Sequence, residues 1–434
     1  DQGETFTHIS SNNGIRTRPF YYTNLKVDPK NPDILYAMAT GYYKSTDGGE
    51  NWSRLRPPHG DNHDMWINPN NTDLFIQSND GGANVTHNGG KTWSTQFNQP
   101  TAEIYQVEVD NQYPYWLYGG QQDNYSTVAV PSRPPYGVQA RGIGYIQNTG
   151  GCETGPAVPH PTNPDIVYSN CKGRFTVYNK RTGTEQSYYV GASNMYGHNP
   201  RDLKFRFQRV SPIHVSPHDP GIIYHTSQYV HKTTDEGKTW TIISPDLTAF
   251  EADKQVISGS PITRDITGAE FYSTIYAIRE SSVQQGVIWV GSNDGPVHVT
   301  QDGGKTWTNR GEITVAGNDF ISFGSGANTL VNASEGVINL SNSLATPISW
   351  AGVANSTGTV SNAGVFKQTL AGTHGLSSNL TFNNTGSVIA EAGTLSLSVS
   401  GTDSGTYQAD GTAVIDFTGG SRNLTGNMTY AGTG

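Results

Sequence analysis

Residues 45–52 read Ser-Thr-Asp-Gly-Gly-Glu-Asn-Trp, and this octet decides the fold because variants of it recur over the first three quarters of the chain. Its pattern is Ser-x-Asp-x-Gly-x-x-Trp. Copies with Thr in place of Ser lie at 86–93, 233–240 and 300–307, and the first of these has Asn88 in place of the Asp. A unit that repeats at intervals of tens of residues is typical of propellers, solenoids and other repeat architectures.

The composition of the octet favours a tight hairpin rather than a catalytic role. The Asp side chain accepts hydrogen bonds from the amides that follow it, and Gly supplies the positive φ that closes the turn. The Trp begins the next strand and buries a large ring. The octet residues, with a partial copy at the start of the chain, are therefore predicted to be structural: Asp1, Asp47, Trp52, Asn88, Trp93, Asp235, Trp240, Asp302 and Trp307.

A second repeated element defines the other strands. Asn-Pro-Asp-Ile-Leu-Tyr at 31–36 has relatives at 71–75, 163–167 and 219–224, each reading as a turn that leads into a β-branched, aromatic strand. The fold class is therefore all-β, with an incomplete β-propeller of about six four-stranded blades and one extra strand. The extra strand is expected over 1–12, a short helical link at 249–254, and the blades at 19–56, 62–98, 102–146 (which lacks an octet), 150–190, 205–247 and 269–311.

The octet resembles the Asp-box (BNR) repeat of β-propellers. The wider sequence resembles the bacterial, secreted sortilin/VPS10-like propeller proteins labelled as glycosyl hydrolases, over residues 1–311. The stretches that carry this resemblance lie at 18–22, 56–64, 119–124, 216–220 and 244–248. The resemblance implies a secreted or surface-exposed propeller, and the family label implies glycoside hydrolysis.

The composition changes near residue 312. From 312 to 434 the only basic residues are Lys367 and Arg422, and Gly, Ser, Thr, Asn and Ala dominate. Short stretches with alternating apolar residues, such as Leu395, Leu397 and Val399, indicate successive strands. This region resembles the β-strand repeats of autotransporter and adhesin-like proteins, which implies a parallel β-helix that serves as a stalk. We therefore expect a propeller domain at 1–311 and a β-helical, solenoid-like region at 312–434.

An incomplete propeller leaves blade edges to be covered. We expect either an open arc or a strand at 1–12 that pairs with the last blade, and an open blade edge offers a route to self-association. The start of the chain within an octet, together with the abrupt change near residue 312, suggests a fragment or a fusion.

The net charge, the apolar runs and the cysteines restrict the possible partners and the cellular compartment. The net charge of −9 argues against nucleic acid or an anionic membrane surface as the main partner. No apolar run is long enough to span a bilayer, and no signal peptide is present in this chain. Cys152 and Cys171 flank a turn at 160–165, so a cross-strand disulfide in an exported protein and two unpaired thiols both remain open. No cofactor and no metal site is predicted.

Functional residues are expected on the axial face of the propeller, opposite the octets. The best candidate loop is 59–64, His-Gly-Asp-Asn-His-Asp, where His59, Asp61, His63 and Asp64 supply two imidazoles and two carboxylates. They could form a metal site or an acid–base pair, although their spacing matches no zinc motif. The alternative is a polar loop whose side chains satisfy turn amides.

Other axial loops carry further carboxylates, amides, arginines and tyrosines, which suit sugar hydroxyls or a peptide. The ligand-binding candidates outside 59–64 are Arg18, Tyr21, Asp80, Gln121, Gln122, Arg206, Tyr272 and Asp294. Glycosidases need two carboxylates at a fixed separation, and the catalytic candidates are Asp64, Asp123, Glu153 and Glu270.

Three functions follow from these patterns. The first is a secreted or surface propeller that binds a glycan or protein at its axial face, displayed on a β-helical stalk. The second is a glycoside hydrolase with paired carboxylates in the axial cleft, and the third is an architectural surface protein. Fingerprints of serine hydrolases, phosphate-binding loops, dinucleotide folds and zinc proteases are absent from the sequence.

Overall fold

The computed structural model describes residues 3–19, 21–96, 99, 103–124, 126–133, 146–191, 195–259, 271–317, 320–323, 327–350, 357–426 and 428–433. In these ranges the chain is all-β, as predicted, with short 3₁₀ helices at Asn13–Arg16, Pro200–Asp202 and Ala252–Lys254. The last of these lies within the link expected at 249–254. None of the described helices is long and apolar enough to cross a membrane.

The first half of the propeller consists of three antiparallel sheets, which we call blades 1 to 3. Blade 1 contains β1 (Asn24–Val27), β2 (Leu35–Met38), β3 (Tyr42–Ser45) and β4 (Ser53–Leu55). Blade 2 contains β5 (Asn62–Ile67), β6 (Phe75–Asn79) and β7 (Gly82–Thr86). Blade 3 contains β8 (Ile104–Val109), β9 (Trp116–Gln121), β10 (Thr127–Pro131) and β11 (Gln147–Asn148).

Blades 4 to 6 follow in the same order of strands. Blade 4 contains β12 (Ala157–Pro159), β13 (Ile166–Cys171), β14 (Arg174–Asn179) and β15 (Thr184–Tyr189). Blade 5 contains β16 (Ile213–Val215), β17 (Ile223–Thr226), β18 (Val230–Thr233) and β19 (Thr241–Ile242). Blade 6 contains β20 (Ile275–Glu280), β21 (Ile288–Ser292), β22 (Val297–Thr300) and β23 (Thr306–Asn309). Five of the six sheets fall within the predicted blade ranges, whereas β11 lies just past the predicted end of blade 3 at 146. Blade 2 has three strands among the described residues, where four were predicted.

The rest of the chain forms a parallel β-solenoid of about five turns. One wall is β24 (Glu312–Gly317), β27 (Val337–Asn342), β30 (Val365–Gln368), β33 (Ser387–Ala390), β36 (Thr406–Ala409) and β39 (Thr429–Gly432). A second is β26 (Ala327–Asn332), β29 (Thr357–Asn362), β32 (Leu380–Asn384), β35 (Gly401–Asp403) and β38 (Arg422–Leu424). The third is β25 (Ile321–Phe323), β28 (Ile348–Trp350), β31 (Thr373–Gly375), β34 (Thr394–Ser396) and β37 (Val414–Asp416).

Each octet forms the tight turn that its composition predicts. Asp47 accepts hydrogen bonds from the Asn51 amide at 2.9 Å and from the Ser45 hydroxyl at 2.7 Å. Asp235, Asp302 and Asn88 make the equivalent bonds in their own turns. Gly48 and Gly49 both have positive φ, at 66° and 97°, so the turn needs its glycines. Asp1 lies outside the described residues.

The octet tryptophans do more than begin a strand, because three of them pack against the preceding blade. Trp93 contacts Tyr42 of blade 1, and Trp240 contacts Phe175 of blade 4, with ring centroids 6.0 and 5.1 Å apart. Trp307 is fully buried and donates a hydrogen bond to the Ile243 carbonyl of blade 5 at 2.8 Å. The octet therefore joins neighbouring blades as well as closing a hairpin.

Blade 3 has no octet, and its contact with blade 2 differs from the others. Buried apolar clusters join blade 1 to 2, 3 to 4, 4 to 5 and 5 to 6. Among the described residues no such cluster joins blade 2 to blade 3. The two blades meet instead through polar loops at the axial face.

The outer edge of blade 6 was expected either to be open or to pair with a strand at 1–12, but it pairs with the solenoid instead. β23 pairs in parallel with β26, in the register Trp307↔Leu330 and Asn309↔Asn332. Blade 6 and one wall of the solenoid therefore form a single nine-stranded sheet. The expected strand at 1–12 is absent from residues 3–12. The solenoid covers this edge because its parallel strands offer the unpaired backbone groups of β23 a continuous partner.

A ladder of buried asparagines crosses this junction. Asn309 of blade 6 donates from Nδ2 to Oδ1 of Asn332 at 2.9 Å, and Asn332 donates to Asn362 at 2.7 Å. Asn362 then donates to Asn384 at 2.8 Å. The position after Asn384 is Asp403, which is fully buried and paired with Arg422. The ladder ties the propeller to the solenoid with side-chain amides that have no access to water.

The two cysteines form a disulfide. Cys171 ends β13, and Cys152 lies in the loop before β12, so the bridge joins a strand to the loop that enters blade 4. This resolves the two alternatives left open by the sequence.

Four histidines lie in the interior of blades 5 and 6. Burial lowers the pKa of His225 to about 4, and burial together with the nearby charges of His225 and Lys204 lowers that of His231 to about 3. Burial likewise lowers the pKa of His214 and of His298 to about 4. All four rings are therefore neutral in the folded protein at pH 7.

Replacing Asn362 by Ala should destabilise the solenoid. The substitution removes the side-chain hydrogen bonds of Asn362 to Asn332 and Asn384 and its two bonds to backbone carbonyls in a dry interior, at a net cost of about 1 kcal/mol per lost bond. Urea denaturation should show the loss. Asn383→Ala is the control, since Asn383 lies outside the ladder on the neighbouring position of β32. Equal stability of the two variants would contradict the structural role of the ladder.

Acid should destabilise the fold through the buried histidines. Their folded-state pKa lies below the ordinary 6.5, so the unfolded chain takes up protons first and stability falls as the pH drops from about 6.5 towards 4. At pH 5 each ring costs on the order of 2 kcal/mol. In urea titrations at pH 7.5 and pH 5, His225→Phe should show a smaller loss than the wild type, while His198→Phe, at an exposed ring, should match it. A pH dependence unaltered in His225→Phe would contradict this assignment.

Candidate functional site

Three aspartates from the axial loops of blades 2 and 3 converge on one point. Asp61 precedes β5, Asp80 lies in the turn between β6 and β7, and Asp123 lies in the turn between β9 and β10. One carboxylate oxygen of each lies within 4.8 Å of those of the other two, and all three residues are half-buried. We call these residues the carboxylate cluster.

Local backbone geometry aims these side chains at each other. Asp61 and Asp123 have positive φ, 54° and 65°, a conformation that Asp tolerates in turns. The buried Asn62 amide donates to the Ala39 carbonyl at 2.9 Å, which fixes the loop against blade 1. The Asp80 amide donates to the Asp61 carbonyl at 3.2 Å, which holds the two blade 2 aspartates together.

Two side-chain contacts join blade 2 to blade 3 at this point. His59 Nε2 lies 2.8 Å from the Asp123 carbonyl oxygen. Asn124 donates from Nδ2 to the Asp80 carbonyl at 3.1 Å. The cluster therefore lies on the seam between the two blades that share no apolar core.

Each carboxylate has a partner within the site. Tyr22 donates its hydroxyl to Asp61 at 2.5 Å, and the guanidinium of Arg18 lies 3.9 Å from the same carboxylate. His63 Nε2 lies 2.5 Å from Asp80 Oδ1. The carboxylate of Asp123 lies within 4.8 Å of those of Asp61 and Asp80. Two ionised carboxylates this close repel each other, which favours a proton on one of them.

The electrostatics of the site follow from burial and from the cluster itself. Burial, followed by the charge of Asp80 and a hydrogen bond to it, raises the pKa of Asp123 to about 7. Burial and the hydrogen bond to Asp61 raise the pKa of Tyr22 to about 12. Burial alone would lower the pKa of His59, but hydrogen bonds to the Asp123 and Gly60 carbonyls raise it. Near pH 7 the cluster exchanges a proton at Asp123.

An aromatic group lines one side of the cluster. The rings of Tyr21 and Tyr22 lie 4.9 Å apart, and the His63 ring lies edge-on to both, at 5.5 and 5.2 Å. Tyr22 is buried, whereas Tyr21 is 58 % exposed. Burial and the charges of Asp80, Asp123 and Asp61 raise the pKa of the Tyr21 hydroxyl. A ligand at the cluster would therefore meet a tyrosine ring beside carboxylate oxygens.

The structure brings some predicted residues to the cluster and places others beside it. Asp64 is exposed and pairs with Lys26 at 3.1 Å, so it lies outside the cluster. Glu153 lies close enough for its charge to raise the pKa of Asp123. Gln122 accepts a hydrogen bond from Tyr105 at 2.6 Å, and the Gln121 side chain is buried.

Several predictions are corrected by burial and bonding. Arg206 is buried and pairs with Asp246 at 2.8 Å, so it supports the interior of blade 5 and cannot meet a ligand. Asp294 accepts hydrogen bonds from the Ala249 and Phe250 amides, which makes it a turn residue. Tyr272 donates its hydroxyl to Glu251, near the helical link. Glu270 lies outside the described residues.

Two residues near the cluster were missed. Tyr22 is the hydrogen-bond donor to Asp61, and the charge of Glu103 acts on Tyr21. Tyr22 could have been found, because it belongs to the Arg-Pro-Phe-Tyr-Tyr stretch at 18–22. Glu103 gives no such signal, because its place depends on how blade 3 meets blade 2.

The arrangement is suited to a positive charge. Three carboxylates within 4.8 Å form an oxygen-rich site with net negative charge. Oxygen atoms of this kind ligate Ca²⁺ and similar hard cations, and they also accept hydrogen bonds from ammonium or guanidinium groups. Asp61, Asp80 and Asp123 are the residues that could hold a metal ion, although the sequence predicted no metal site.

Comparisons with known proteins concern the propeller fold. No family model and no curated protein matches the chain. Among solved structures, the chain is similar to the Niastella koreensis GH74 enzyme, with 15 % identity over 66 % of this chain and 49 % of that one, and a TM-score of 0.22. It thus spans about half the length of that enzyme.

Two further similar structures are of the protein YCF48. YCF48 bound to D1 peptide is 11 % identical, with a TM-score of 0.28, over 66 % of this chain and 79 % of that one. YCF48 from Cyanidioschyzon merolae is 16 % identical, with a TM-score of 0.25, over 62 % of this chain and 80 % of that one. At these values the likeness concerns the fold and carries no argument about function.

Replacing Asp80 by Asn should lower the pKa of Asp123. The substitution removes the nearest negative charge, so the pKa should fall from about 7 by roughly one unit or more, and burial should keep it above 3.8. A ¹³C NMR titration of the carboxyl carbons measures this directly. Asp64→Asn removes the same charge outside the cluster and should leave Asp123 unchanged. Equal titration of Asp123 in both variants would contradict the cluster geometry.

Proposed function

We propose that the propeller is a binding module that takes a positively charged group of a protein ligand at the carboxylate cluster on its axial face. The observation that carries this proposal is the convergence of Asp61, Asp80 and Asp123 from separate loops within 4.8 Å. Binding at the axial face of a propeller agrees with the prediction from the sequence. Secretion and display on the solenoid as a stalk are part of the same proposal.

A cationic ligand fits the site better than a neutral sugar does. The raised pKa of Asp123 reflects the cost of a further negative charge in the cluster, and a bound ammonium or guanidinium would offset that cost. The exposed ring of Tyr21 next to the carboxylates adds a surface for cation–π contact. A neutral saccharide would gain hydrogen bonds there but would leave the repulsion between the carboxylates in place.

Glycoside hydrolysis is the second candidate, and one observation favours it. Asp123 carries a proton near pH 7 and lies within 4.8 Å of two other aspartates. A general acid next to an ionised carboxylate is the pair that retaining glycosidases use, at a separation of about 5 Å. In this reading Asp123 donates the proton to the leaving oxygen and Asp80 or Asp61 faces the sugar.

The test separates the two candidates with the same variants. Wild type, Asp80→Asn, Asp123→Asn and the control Asp64→Asn are applied to arrays of Lys- and Arg-containing peptides, their acetyl-lysine and citrulline counterparts, and glycans. The proposal expects charge-dependent peptide binding that weakens at least tenfold in the cluster variants and persists in the control. Charge-independent peptide binding, or glycan cleavage that is lost in Asp123→Asn, would overturn it.

A further inference from the structure

Blade 2 presents an apolar row on the side away from blade 1. Met65 and Phe75 point into the core shared with blade 1. The alternate positions Trp66, Ile76 and Val85 are cross-strand neighbours on β5, β6 and β7, so they lie together on the opposite face. Trp66 is 59 % exposed and Ile76 is 39 % exposed. Nothing within the described residues buries this row.

Blade 3 presents a matching row on the side away from blade 4. Tyr118 and Ala129 pack into the core shared with blade 4. Val109, Leu117 and Val130 are cross-strand neighbours on β8, β9 and β10 and therefore lie on the other face. Val109 is 54 % exposed and Leu117 is 37 % exposed. Each row therefore lies on the face of its blade that takes no part in an apolar core shared with a neighbouring blade.

The seam between blades 2 and 3 has neither an octet tryptophan nor an apolar cluster among the described residues. Blade 4 also lacks an octet, but the cluster that includes Tyr118 and Val167 joins it to blade 3. An octet tryptophan packs against the preceding blade in blades 2, 5 and 6. Blade 3 has no octet, and the contacts that hold it to blade 2 are the polar ones from His59 and Asn124 at the axial end. The seam thus has an exposed apolar row on each blade and the carboxylate cluster at its axial end, and we call this arrangement the groove.

We propose that this groove binds an extended peptide segment in which apolar residues adjoin a lysine or arginine. This inference rests on the proposed function and extends it from a charged group to the chain that carries it. The apolar side chains cover the Trp66 and Val109 rows, and the basic side chain reaches Asp61, Asp80 and Asp123. Charge complementarity selects this occupant, because an apolar or acidic segment would leave the cluster unneutralised.

The charge of the chain also argues against a second copy in the groove. The chain carries a net charge of −9, so the approach of another copy to an acidic site is disfavoured. Burying apolar rows of this kind gives a negative heat-capacity change on binding, whereas contact with the cluster alone would not. Calorimetry at several temperatures therefore reports on the rows separately from the charge.

The test uses the full chain and a set of matched synthetic peptides. The parent peptide is a 12-residue segment with a central Lys flanked by Leu and Phe. One counterpart replaces Lys by acetyl-lysine, and another replaces the Leu and Phe by Ser. The protein variants are Trp66→Gln, Val109→Gln and Asp80→Asn. The control is Trp289→Gln, because Trp289 on blade 6 is 52 % exposed, close to the exposure of Trp66.

Binding of the parent peptide should weaken about tenfold or more in each groove variant and in both altered peptides, and should be unchanged in Trp289→Gln. Trp66 and Val109 are exposed, so their substitution should leave the fold intact. Thermal melting checks that every variant is folded, including that of the half-buried Asp80. Loss of binding in Asp80→Asn but not in Trp66→Gln or Val109→Gln would overturn the groove while the proposed function stands. Unchanged peptide binding in all three variants would overturn both the groove and the proposed function. Concentration-dependent dimerisation of the wild type that is lost in Trp66→Gln would assign the groove to a second copy of the chain instead.

Discussion

Every blade of this propeller has two faces to bury. In blades 2, 5 and 6 an octet tryptophan buries one of them against the preceding blade, and blade 4, which has no octet, packs on blade 3 through a smaller apolar cluster. Where the octet is present, in blades 2, 5 and 6, the tryptophan joins an apolar cluster shared with the preceding blade. In the first octet, Ile9 lies against Gly49, so the segment before blade 1 takes the place of a preceding blade. Blade 3 lacks this side chain, and its seam with blade 2 is the place where the structure departs from regular packing.

The need to cover an exposed strand edge explains how the propeller is joined to the solenoid. Blade 6 ends in a strand whose outer edge has unpaired backbone groups, and such edges pair with other strands unless they are covered. The solenoid supplies the cover by adding β26 in parallel to β23 and by continuing the asparagine ladder from Asn309. The change of composition near residue 312 is therefore a change of architecture within one sheet.

The fold could be predicted largely from the sequence, because its signals are local. The octets, the Asn-Pro-Asp turns and the alternating apolar residues of the solenoid each depend on contacts within a few tens of residues. The pairing of β23 with β26 could not be predicted, since it depends on two strands that have different composition. The strand predicted at 1–12 does not form in residues 3–12. A half octet predicts a turn, but it does not show which strand would pair with the segment.

The site was predictable only in part, for a different reason. Aligning the blade repeats predicts that the 59–64 loop, Asp80 and Asp123 all lie on the axial face. Which of these residues meet depends on the seam between blades 2 and 3, a long-range property. Arg206 shows the limit: its position in the alignment matches that of a ligand-binding residue, yet Asp246, 40 positions later, holds it in the interior.

The seam and the cluster have one origin. Since no tryptophan draws blade 3 onto blade 2, the two blades are held by polar loops, and the bonds from His59 and Asn124 bring Asp123 to Asp61 and Asp80. The contacts that replace an apolar core at this seam are thus the ones that assemble the three carboxylates. Closing the groove with a tightly packed tryptophan would bury the rows and remove the reason for the polar bridge. The seam between blades 2 and 3, which has neither an octet tryptophan nor an apolar cluster among the described residues, therefore gives this chain both an exposed apolar surface and a charged group at its end.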